Sequence, residues 1–352
     1  MAKENSFEGK VAWRSPSNLA IIKYWGKYGR QLPRNASISL TLSAAFTDMK
    51  MAYQIGDDRT ELEIDFTFEG QAKPQFERKI KTFLQSIQDE LPFLAKAYFK
   101  IDSSNSFPHS SGIASSASSM SALALCLCSI ERAHFNPDMS ETTFFNRASH
   151  FARLGSGSAS RSVYPFMAAW GEHPEIEDAS NQYAVLYDKI APVFKTFHDD
   201  ILIVSAREKS VSSTAGHQLM EGNPYATARY AQANNRMSDL LVALKKGDVL
   251  AFGKIAEDEA MTLHGMMMCS EPSYMLVEAN TIEMIRRIQS YRNETGVPVF
   301  FSLDAGPNIH LLYPDEVAPM VDLFIKDQLK ELCIDGRIIQ DQVGSGPERL
   351  DV

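Results

Sequence analysis

The stretch FSLDAGPN, residues 301–308, decides how the chain folds around its candidate site. An apolar run over residues 297–303 delivers one carboxylate, Asp304, to the start of a Gly-Pro-Asn turn. Because Pro307 fixes its own φ angle, the pattern predicts a strand, a tight turn and a second strand across residues 297–313. Asp304 is therefore expected at a rigid strand end, where an acid can meet a substrate at a fixed distance.

Outward from this stretch, strand and helix patterns mix without a regular βα alternation, which favours an α+β fold over a doubly wound sheet. The length of 352 residues suggests two domains or two lobes. We expect an N-terminal lobe at 1–190 and a C-terminal lobe carrying Asp304 at 191–352. Strands are predicted at 11–13, 37–42, 47–54, 62–68, 97–103, 198–205 and near 337–343, and helices at 75–91, from about 112 to 133, and at 141–154, 226–246, 249–264, 273–293 and 316–332.

Amino-acid composition argues against some classes of binding partner. The formal net charge is −9 and the pI is near 5.5, which argues against nucleic acid and anionic membranes as partners. A few focused cations can still bind a small anion inside a cleft. The amino-terminal residues are polar and no apolar run approaches the roughly 20 residues that span a bilayer, so a cytoplasmic protein is expected. The four cysteines have no metal-ligand spacing.

A serine- and glycine-rich segment, SFPHSSGIASSA at residues 106–117, lies between a predicted strand and a helix of small residues. The amino terminus of a helix offers unpaired N–H groups and a positive dipole end, which bind anions. No Walker-type phosphate loop occurs in the chain. Taken alone, the segment could equally be a helix start capped by its own hydroxyls. The candidate anion-binding residues here are Asn105, Pro108, Ser110, Ser111, Gly112, Ala114, Ser115 and Ser116.

Five segments together resemble the diphosphomevalonate decarboxylases, which belong to the superfamily of galactokinase, homoserine kinase and mevalonate kinase. They occur in the family's order over nearly the whole chain, and KYWGK (23–27) and GSGSAxR (155–161) are specific to the decarboxylase branch. The segments are PSNLAIIKYWGK at 16–27, LPRNASISLTL at 32–42, NSFPHSSGIASSA at 105–117, RLGSGSASRS at 153–162 and DAGPN at 304–308.

The resemblance implies a two-lobed small-molecule-kinase fold with a cleft between the lobes, and a homodimer. It implies that the N-terminal lobe binds ATP and substrate, and that the candidate anion-binding residues between 105 and 116 bind ATP. It also implies a reaction in which ATP, with Mg²⁺, phosphorylates the tertiary C3 hydroxyl of mevalonate 5-diphosphate. The new phosphate then leaves as the C1 carboxylate is lost as carbon dioxide, giving isopentenyl diphosphate. The sequence does not identify protein ligands for Mg²⁺, because a metal held mostly by phosphates and water leaves little trace.

The resemblance also assigns residues by their match to the family motifs. Asp304 would be the base that accepts or orients the C3 hydroxyl, Arg161 would hold the C1 carboxylate, and Lys23 would lie near the reacting centre. A guanidinium suits a carboxylate because its fork can bind both oxygens. The substrate-binding residues carried over are Tyr24, Trp25, Gly26, Lys27, Ser156, Gly157, Ser158, Ala159, Ser160, Arg161, Ser213 and Thr214.

Simpler structural explanations exist for the same residues. Asp304 could cap its own turn, and Arg161 could lie on a solvated face. Helical geometry would put Lys23 and Lys27 on one side, an unfavourable pair unless an anion lies between them. For His264 we expect a packed or helix-terminal histidine.

Three departures from the family pattern bear on the substrate: HSS at 109–111, Arg34, and YPF at 164–166. They leave open whether the substrate is the 5-diphosphate or the 5-phosphate of mevalonate. Two other functions remain as alternatives, a kinase of the same superfamily that does not decarboxylate and a catalytically silent homologue.

Overall fold

A computed structural model describes residues 6–57, 59–107, 115–207 and 210–352. Pro108, Ser110, Ser111, Gly112 and Ala114 lie outside these residues. The strands are β1 Phe7–Ile22, β2 Lys27–Tyr28, β3 Leu32–Pro33, β4 Ser37–Ile55, β5 Glu63–Phe68, β6 Gln71–Ala72, β7 Ala97–Asn105, β8 Met167–Trp170, β9 Ala184–Leu186, β10 His198–Leu202, β11 Phe300–Leu303, β12 Ile309–Tyr313, β13 Ile338–Ile339 and β14 Glu348–Arg349.

Helices cover both sheets. Within the described ranges, none is long and apolar enough to cross a membrane. The α-helices are α1 Pro74–Ser86, α2 Ser115–His134, α3 Glu141–Gly155, α4 Ser213–Gln218, α5 Ala226–Lys246, α6 Val249–Met268, α7 Ala279–Thr295 and α8 Ala318–Phe324. A short 3-10 helix, Gly157–Val163, follows α3 and carries several candidate site residues.

The larger sheet has the order β14-β1-β4-β7-β5-β6, with β8 paired to the first half of β4 and β9 paired to β8. All of its pairs are antiparallel except β5 with β7, whose connection contains α1. The second sheet has the order β11-β12-β10-β13 and is antiparallel throughout. Two largely antiparallel sheets, with helices inserted between runs of strands, confirm the expected α+β class.

The long strands β1 and β4 extend well beyond the short strands predicted. Proline has no N–H to donate to a β-sheet, and the register in which β1 pairs with β4 shifts between Pro16 and Asn18. This irregularity explains why the sequence predicted only a short strand there. In β4, the Asp341 carboxylate accepts the N–H groups of residues 43–45, at 2.7–2.8 Å, where the strand pattern lapses. A carboxylate distant in sequence thus supplies the missing ladder partner.

The chain after β1 departs from the helical geometry expected for Lys23 and Lys27. Residues 23–26 have no regular structure, and Gly26 adopts a φ of 101°, a conformation that favours glycine.

The range 316–332 is helical as predicted, although α8 begins in a 3-10 turn at Asp315–Val317 and continues as a π-helical turn at Ile325–Leu329 and a 3-10 turn at Lys330–Leu332. The strand predicted near 337–343 is shorter, because β13 covers Ile338–Ile339 and Gln342 and Val343 form isolated bridges.

The core is continuous between the sheets. Residues 122–128 of α2, which include Cys126 and Cys128, are completely buried behind the larger sheet. A second cluster joins Leu19 of β1 and Ile38 of β4 to Met237 of α5 and Phe252 of α6. This shared apolar packing fixes the end of β1 against the helices of the second sheet.

Because α6 packs closely on β11, alanine substitution should change stability in opposite directions at two glycines of this helix. A Cβ at Gly253 would lie 2.1 Å from the Phe300 ring, whereas a Cβ at Gly265 would meet nothing within 4 Å. Overpacking should make Gly253→Ala about 1–3 kcal/mol less stable. Gly265→Ala should be more stable by about 0.5–1 kcal/mol, since alanine favours helix. Urea unfolding measures both, and a Gly253→Ala variant as stable as Gly265→Ala would contradict this packing.

Candidate active site

A cleft of about 440 Å³ opens where the end of β1, the 3-10 helix, α4 and the end of β11 converge. It brings together most of the residues that the sequence singled out, from five separate parts of the chain. Its walls are Asn18, Ala20, Lys23, Tyr24, Trp25, Lys27, Gln31, Lys79, Ser116, Gly155, Ser156, Gly157, Ser158, Arg161, Ser213, Thr214, His217, Leu263, Asp304 and Ala305.

An ion pair lies at the base of the cleft. Lys23 directly follows β1 and Asp304 directly follows β11, and Nζ of Lys23 lies 3.1 Å from Oδ1 of Asp304. The lysine side chain is 2% exposed and the aspartate side chain 26% exposed, so the carboxylate faces the cleft. The pair therefore connects the ends of strands from the two sheets and holds one carboxylate in a fixed position.

The backbone on each side of this pair is also held. The N–H of Lys23 donates to Oε2 of Glu259 at 2.9 Å, and Glu259 is bound by Arg229 and Arg236. Burial acts to raise the pKa of Glu259, but the charge and hydrogen bonds of Arg229 leave the pKa below its usual value. The carboxylate of Glu259 is thus a buried anion that fixes the start of the Lys23 segment.

His264 secures the other side of the pair. Its Nε2 lies 3.0 Å from the carbonyl oxygen of Asp304, and because a carbonyl only accepts, Nε2 must carry the proton. The histidine is 3% exposed near the end of α6, which confirms the packed histidine that the sequence predicted. Its contact positions the aspartate backbone rather than the carboxylate.

Arg161 lies in the 3-10 helix and is 1% exposed. Ser37 and Ser39 of β4 point to the same side, since strand side chains alternate, and their hydroxyls accept from the guanidinium, Ser37 at 2.7 Å. Burial lowers the pKa of Arg161 to about 10, which leaves it charged at neutral pH. No carboxylate in the described ranges lies within salt-bridge distance of Arg161. The hydrogen-bond partners of the guanidinium among the described residues are thus neutral, and the negative charge of Asp304 acts on it only from beyond salt-bridge distance.

The residues after Lys23 form the opposite wall. Tyr24 packs edge-on against Trp170, with ring centroids 4.7 Å apart, and a Cβ at Gly157 would lie 2.9 Å from the Tyr24 ring. Only glycine fits there. Lys27 donates to Gln31 at 2.9 Å, and burial lowers the pKa of its ammonium. Lys27 thus offers a second cation to the cleft.

Three of the predicted substrate residues do not line the cleft. Ala159 and Ser160 are completely buried in the 3-10 helix, where the Ser160 hydroxyl donates to the carbonyl of Gly157. Gly26 is not among the cleft walls, and its backbone N–H donates to Nδ1 of His217 at 2.9 Å. Ser156 and Ser158 do line the cleft, and so do Ser213 and Thr214 at the start of α4.

A second cavity of about 470 Å³ adjoins the cleft and shares Lys79, Ser116 and Gly155 with it. Asn105 and Ser115, predicted to bind ATP, line this cavity rather than the cleft. Most of its other walls are apolar: Met49, Phe66, Phe68, Phe76, Ile80, Phe83, Met120 and Leu123. A flat heterocyclic group would be buried here with its polar end facing the cleft.

Among the cleft side chains that sequence reasoning missed, three bear on ligand binding: Asn18, Lys79 and His217. Asn18 donates to the carbonyl of Ser158 at 3.1 Å and approaches Arg161, and only its place inside a matched segment could have suggested it. Lys79 lies on α1, in a stretch rich in lysine and arginine that gives no local signal. His217 follows Ser213 and Thr214 by one helical turn, so its position on the same face was accessible from spacing.

No cluster of three or more His, Cys, Asp or Glu side chains in the described part of the chain could hold a metal ion. Among the cleft walls that the structure describes, Asp304 is the one carboxylate, and Lys23 already binds it. A divalent cation in this cleft would therefore take most of its ligands from a bound phosphate and water.

Comparison with known proteins agrees with these features. A family model for the diphosphomevalonate decarboxylase-like N-terminal domain matches residues 15–182, and one for the mevalonate 5-diphosphate decarboxylase C-terminal domain matches residues 200–333. The chain is 30% identical to a diphosphomevalonate decarboxylase of Ganoderma lucidum over 336 residues, covering 89% of this chain and 80% of that protein. For the Bos taurus diphosphomevalonate decarboxylase the identity is 28% over 393 residues, covering 97% and 94%.

Solved structures show the same likeness. A mevalonate diphosphate decarboxylase of Staphylococcus aureus superposes with a TM-score of 0.82 at 25% identity, covering 98% of this chain and 99% of that one. For the Trypanosoma brucei enzyme the TM-score is 0.78 at 27% identity, covering 97% and 98%. The fold is that of the small-molecule kinases, with a cleft suited to a small anionic substrate. Within that class, the chain belongs to the diphosphomevalonate decarboxylase family.

His217 makes the stability of the fold depend on pH. Burial and the charge of Lys27 lower its pKa from 6.5 to about 3, so between these values the unfolded chain binds a proton that the folded chain does not. Stability is therefore lost as pH falls through this window. Between pH 7 and pH 5 the wild type should lose about 2 kcal/mol more than His217→Phe in urea unfolding. Equal losses would show that His217 is protonated in the folded state.

Proposed function

We propose that this cleft carries out ATP-dependent decarboxylation of mevalonate 5-diphosphate, yielding isopentenyl diphosphate, ADP, phosphate and carbon dioxide. The observation that carries the proposal is the buried guanidinium of Arg161, surrounded by neutral ligands and close to Asp304. A buried charge with no carboxylate at salt-bridge distance is costly, so the site gains from an anionic ligand. A substrate carboxylate at Arg161 would place the bond to be broken beside the reacting carbon.

The first chemical step is phosphoryl transfer to a crowded tertiary hydroxyl. Such a step depends on in-line placement and on an acceptor for the hydroxyl proton. Asp304 is fixed by Lys23 and by the contact of His264 with its carbonyl, so its carboxylate can orient the hydroxyl and take the proton. The γ-phosphoryl group of ATP then moves to the C3 oxygen and ADP leaves.

The second step breaks two bonds. The C3–O bond to phosphate and the C1–C2 bond both cleave, and the electron pair of the latter forms the double bond as carbon dioxide departs. A carboxylate next to C3 stabilises positive charge that develops there, which gives Asp304 a second role. Arg161 holds the C1 carboxylate in the ground state, and the hydroxyls of Ser156 and Ser158 can donate at the same end.

The diphosphate end of the substrate would lie toward Lys27 and the start of α4. Lys27 supplies charge, Tyr24 a buried aromatic wall, and Ser213 and Thr214 hydroxyl donors. The ATP base and ribose would occupy the apolar cavity beside Asn105 and Ser115, with the phosphates reaching the cleft at Ser116. Mg²⁺ bound to the ATP phosphates neutralises charge during transfer. This arrangement agrees with the absence of a metal-binding cluster among the described side chains.

We also propose that the chain consists of lobes 1–190 and 191–352 and acts as a homodimer in the cytoplasm. The lobe boundary is supported by the break between the two sheets, although β14 returns to pair with β1. Light scattering on the purified full chain tests the dimer, and a mass near twice 39.3 kDa is expected.

Replacement of the candidate base should remove turnover while preserving binding. Asp304→Asn keeps the shape of the side chain but cannot take a proton, so we expect the rate to fall by about 10²–10⁴-fold with little change in substrate affinity. Asp48→Asn is the matched control, because Asp48 also pairs with a cation but does not line the cleft. A near-normal rate for Asp304→Asn would remove Asp304 from this role.

Replacement of the carboxylate-binding group should distinguish decarboxylation from simple phosphorylation. Arg161→Gln should lower carbon dioxide release by at least about 100-fold, because the carboxylate loses its position. Carbon dioxide and ADP are measured together, with Arg132→Gln, on α2 against Phe144, as the control outside the cleft. Release of ADP without carbon dioxide by the wild type, changed only mildly in Arg161→Gln, would favour a kinase that does not decarboxylate.

A further inference from the structure

His217 is a buried titratable side chain of the cleft that the steps above do not use. It lies on α4, one turn after Ser213 and Thr214, and is 9% exposed. Its ring lies against Tyr24 and Trp25, with centroids 4.3 and 4.6 Å away. A histidine held between two aromatic rings at a cleft wall has a fixed orientation, so its two nitrogens have defined roles.

The hydrogen bond at one ring nitrogen of His217 determines whether the other nitrogen carries a proton. The backbone N–H of Gly26 donates to Nδ1 of His217 at 2.9 Å, so Nδ1 carries no proton. A neutral imidazole must then carry its proton on Nε2. Burial and the nearby charge of Lys27 keep the ring neutral at physiological pH, because they lower its pKa to about 3. In the described part of the chain Nε2 makes no hydrogen bond, so this donor remains available to a ligand in the cleft.

The Nδ1 contact also fixes the turn that presents Lys27. Gly26 has a φ of 101°, and a Cβ there would lie 2.2 Å from the hydroxyl of Tyr230. On the other side, a Cβ at Gly216 would lie 2.5 Å from the Trp25 ring. Helix α4 and the turn at Gly26 are therefore packed without space between them, and His217 is the hydrogen-bonded link.

The geometry points to His217 as a substrate-binding residue, an inference that rests on the function proposed above. Nδ1 holds the turn that carries Lys27, and Nε2–H donates to a phosphate oxygen at the diphosphate end of the substrate. A neutral donor suits this place, because Lys27 already supplies a cation and a second charge beside it would be repelled. The ligand class is an organic diphosphate, which binds between α4 and the turn at Gly26.

Three substitutions separate the two nitrogens. His217→Phe keeps the ring packing and removes both polar contacts. In His217→Asn the amide oxygen can replace Nδ1 toward Gly26, but the side chain does not reach the Nε2 position. His217→Gln does reach that position with an N–H donor. The control is His173→Phe, because His173 is also buried and bonds a backbone carbonyl, that of Asn234, but does not line the cleft.

The experiment measures KM and kcat with mevalonate 5-diphosphate and the Kd of inorganic diphosphate by calorimetry, on the full chain. Loss of one hydrogen bond to a charged phosphate should raise both KM and Kd by about tenfold to a hundredfold in the Phe and Asn variants. We expect kcat to change less than about threefold and the KM for ATP to stay constant, since only substrate binding is altered. The Gln variant should recover most of the affinity, and His173→Phe should match the wild type.

Two results would overturn the inference: unchanged KM and Kd in the Phe variant, or wild-type affinity in the Asn variant, which would limit His217 to holding the turn. Unfolding midpoints identify a variant that has lost its fold. If His217→Phe does not fold, the smaller changes to Asn and Gln still test the inference. Failure of the proposed function would look different. The wild type would then release no carbon dioxide, while the Kd of inorganic diphosphate would still respond to His217.

Discussion

The ion pair between Lys23 and Asp304 is the interaction on which the rest of the site depends. Each partner is the first residue after a strand, and the two strands belong to different sheets. Glu259 holds the lysine backbone and His264 the aspartate carbonyl, so both ends are fixed by α6. The proposed catalytic carboxylate is thus positioned by the junction of the two sheets. Chemistry that needs in-line geometry can therefore rely on the packing of the whole fold.

Charge distribution explains how an acidic protein can bind a polyanionic substrate. The chain carries a net charge of −9, yet the cleft gathers Lys23, Lys27 and Arg161 with Asp304 as its carboxylate. Low-dielectric walls focus this local positive potential. Neutral donors complete the cleft, namely the hydroxyls of α4 and the 3-10 helix together with His217. Charge draws the substrate in, and the neutral donors define the position of each end.

The sequence predicted the α+β class and the strand end that presents Asp304, because a run of apolar residues before a proline turn is a local signal. It could not predict the length of β4, whose middle is held by Asp341 almost 300 residues later. It considered helical geometry for Lys23 and Lys27, whereas residues 23–26 have no regular structure and Gly26 adopts a φ of 101°. The matched motifs named most of the cleft, and the spacing of His217 from Ser213 and Thr214 could have added that residue. Lys79 enters the cleft only through tertiary packing, which no short pattern encodes.

The most direct measurement of the central claim is the stoichiometry of products from the wild-type protein. The protein would receive ATP and Mg²⁺ with mevalonate, its 5-phosphate or its 5-diphosphate, and ADP and carbon dioxide would be followed in the same reaction. The account predicts equal release of the two products, fastest with the 5-diphosphate, because Arg161 holds the carboxylate while Lys27 and α4 hold the diphosphate. Release of ADP without carbon dioxide from the 5-diphosphate would contradict it.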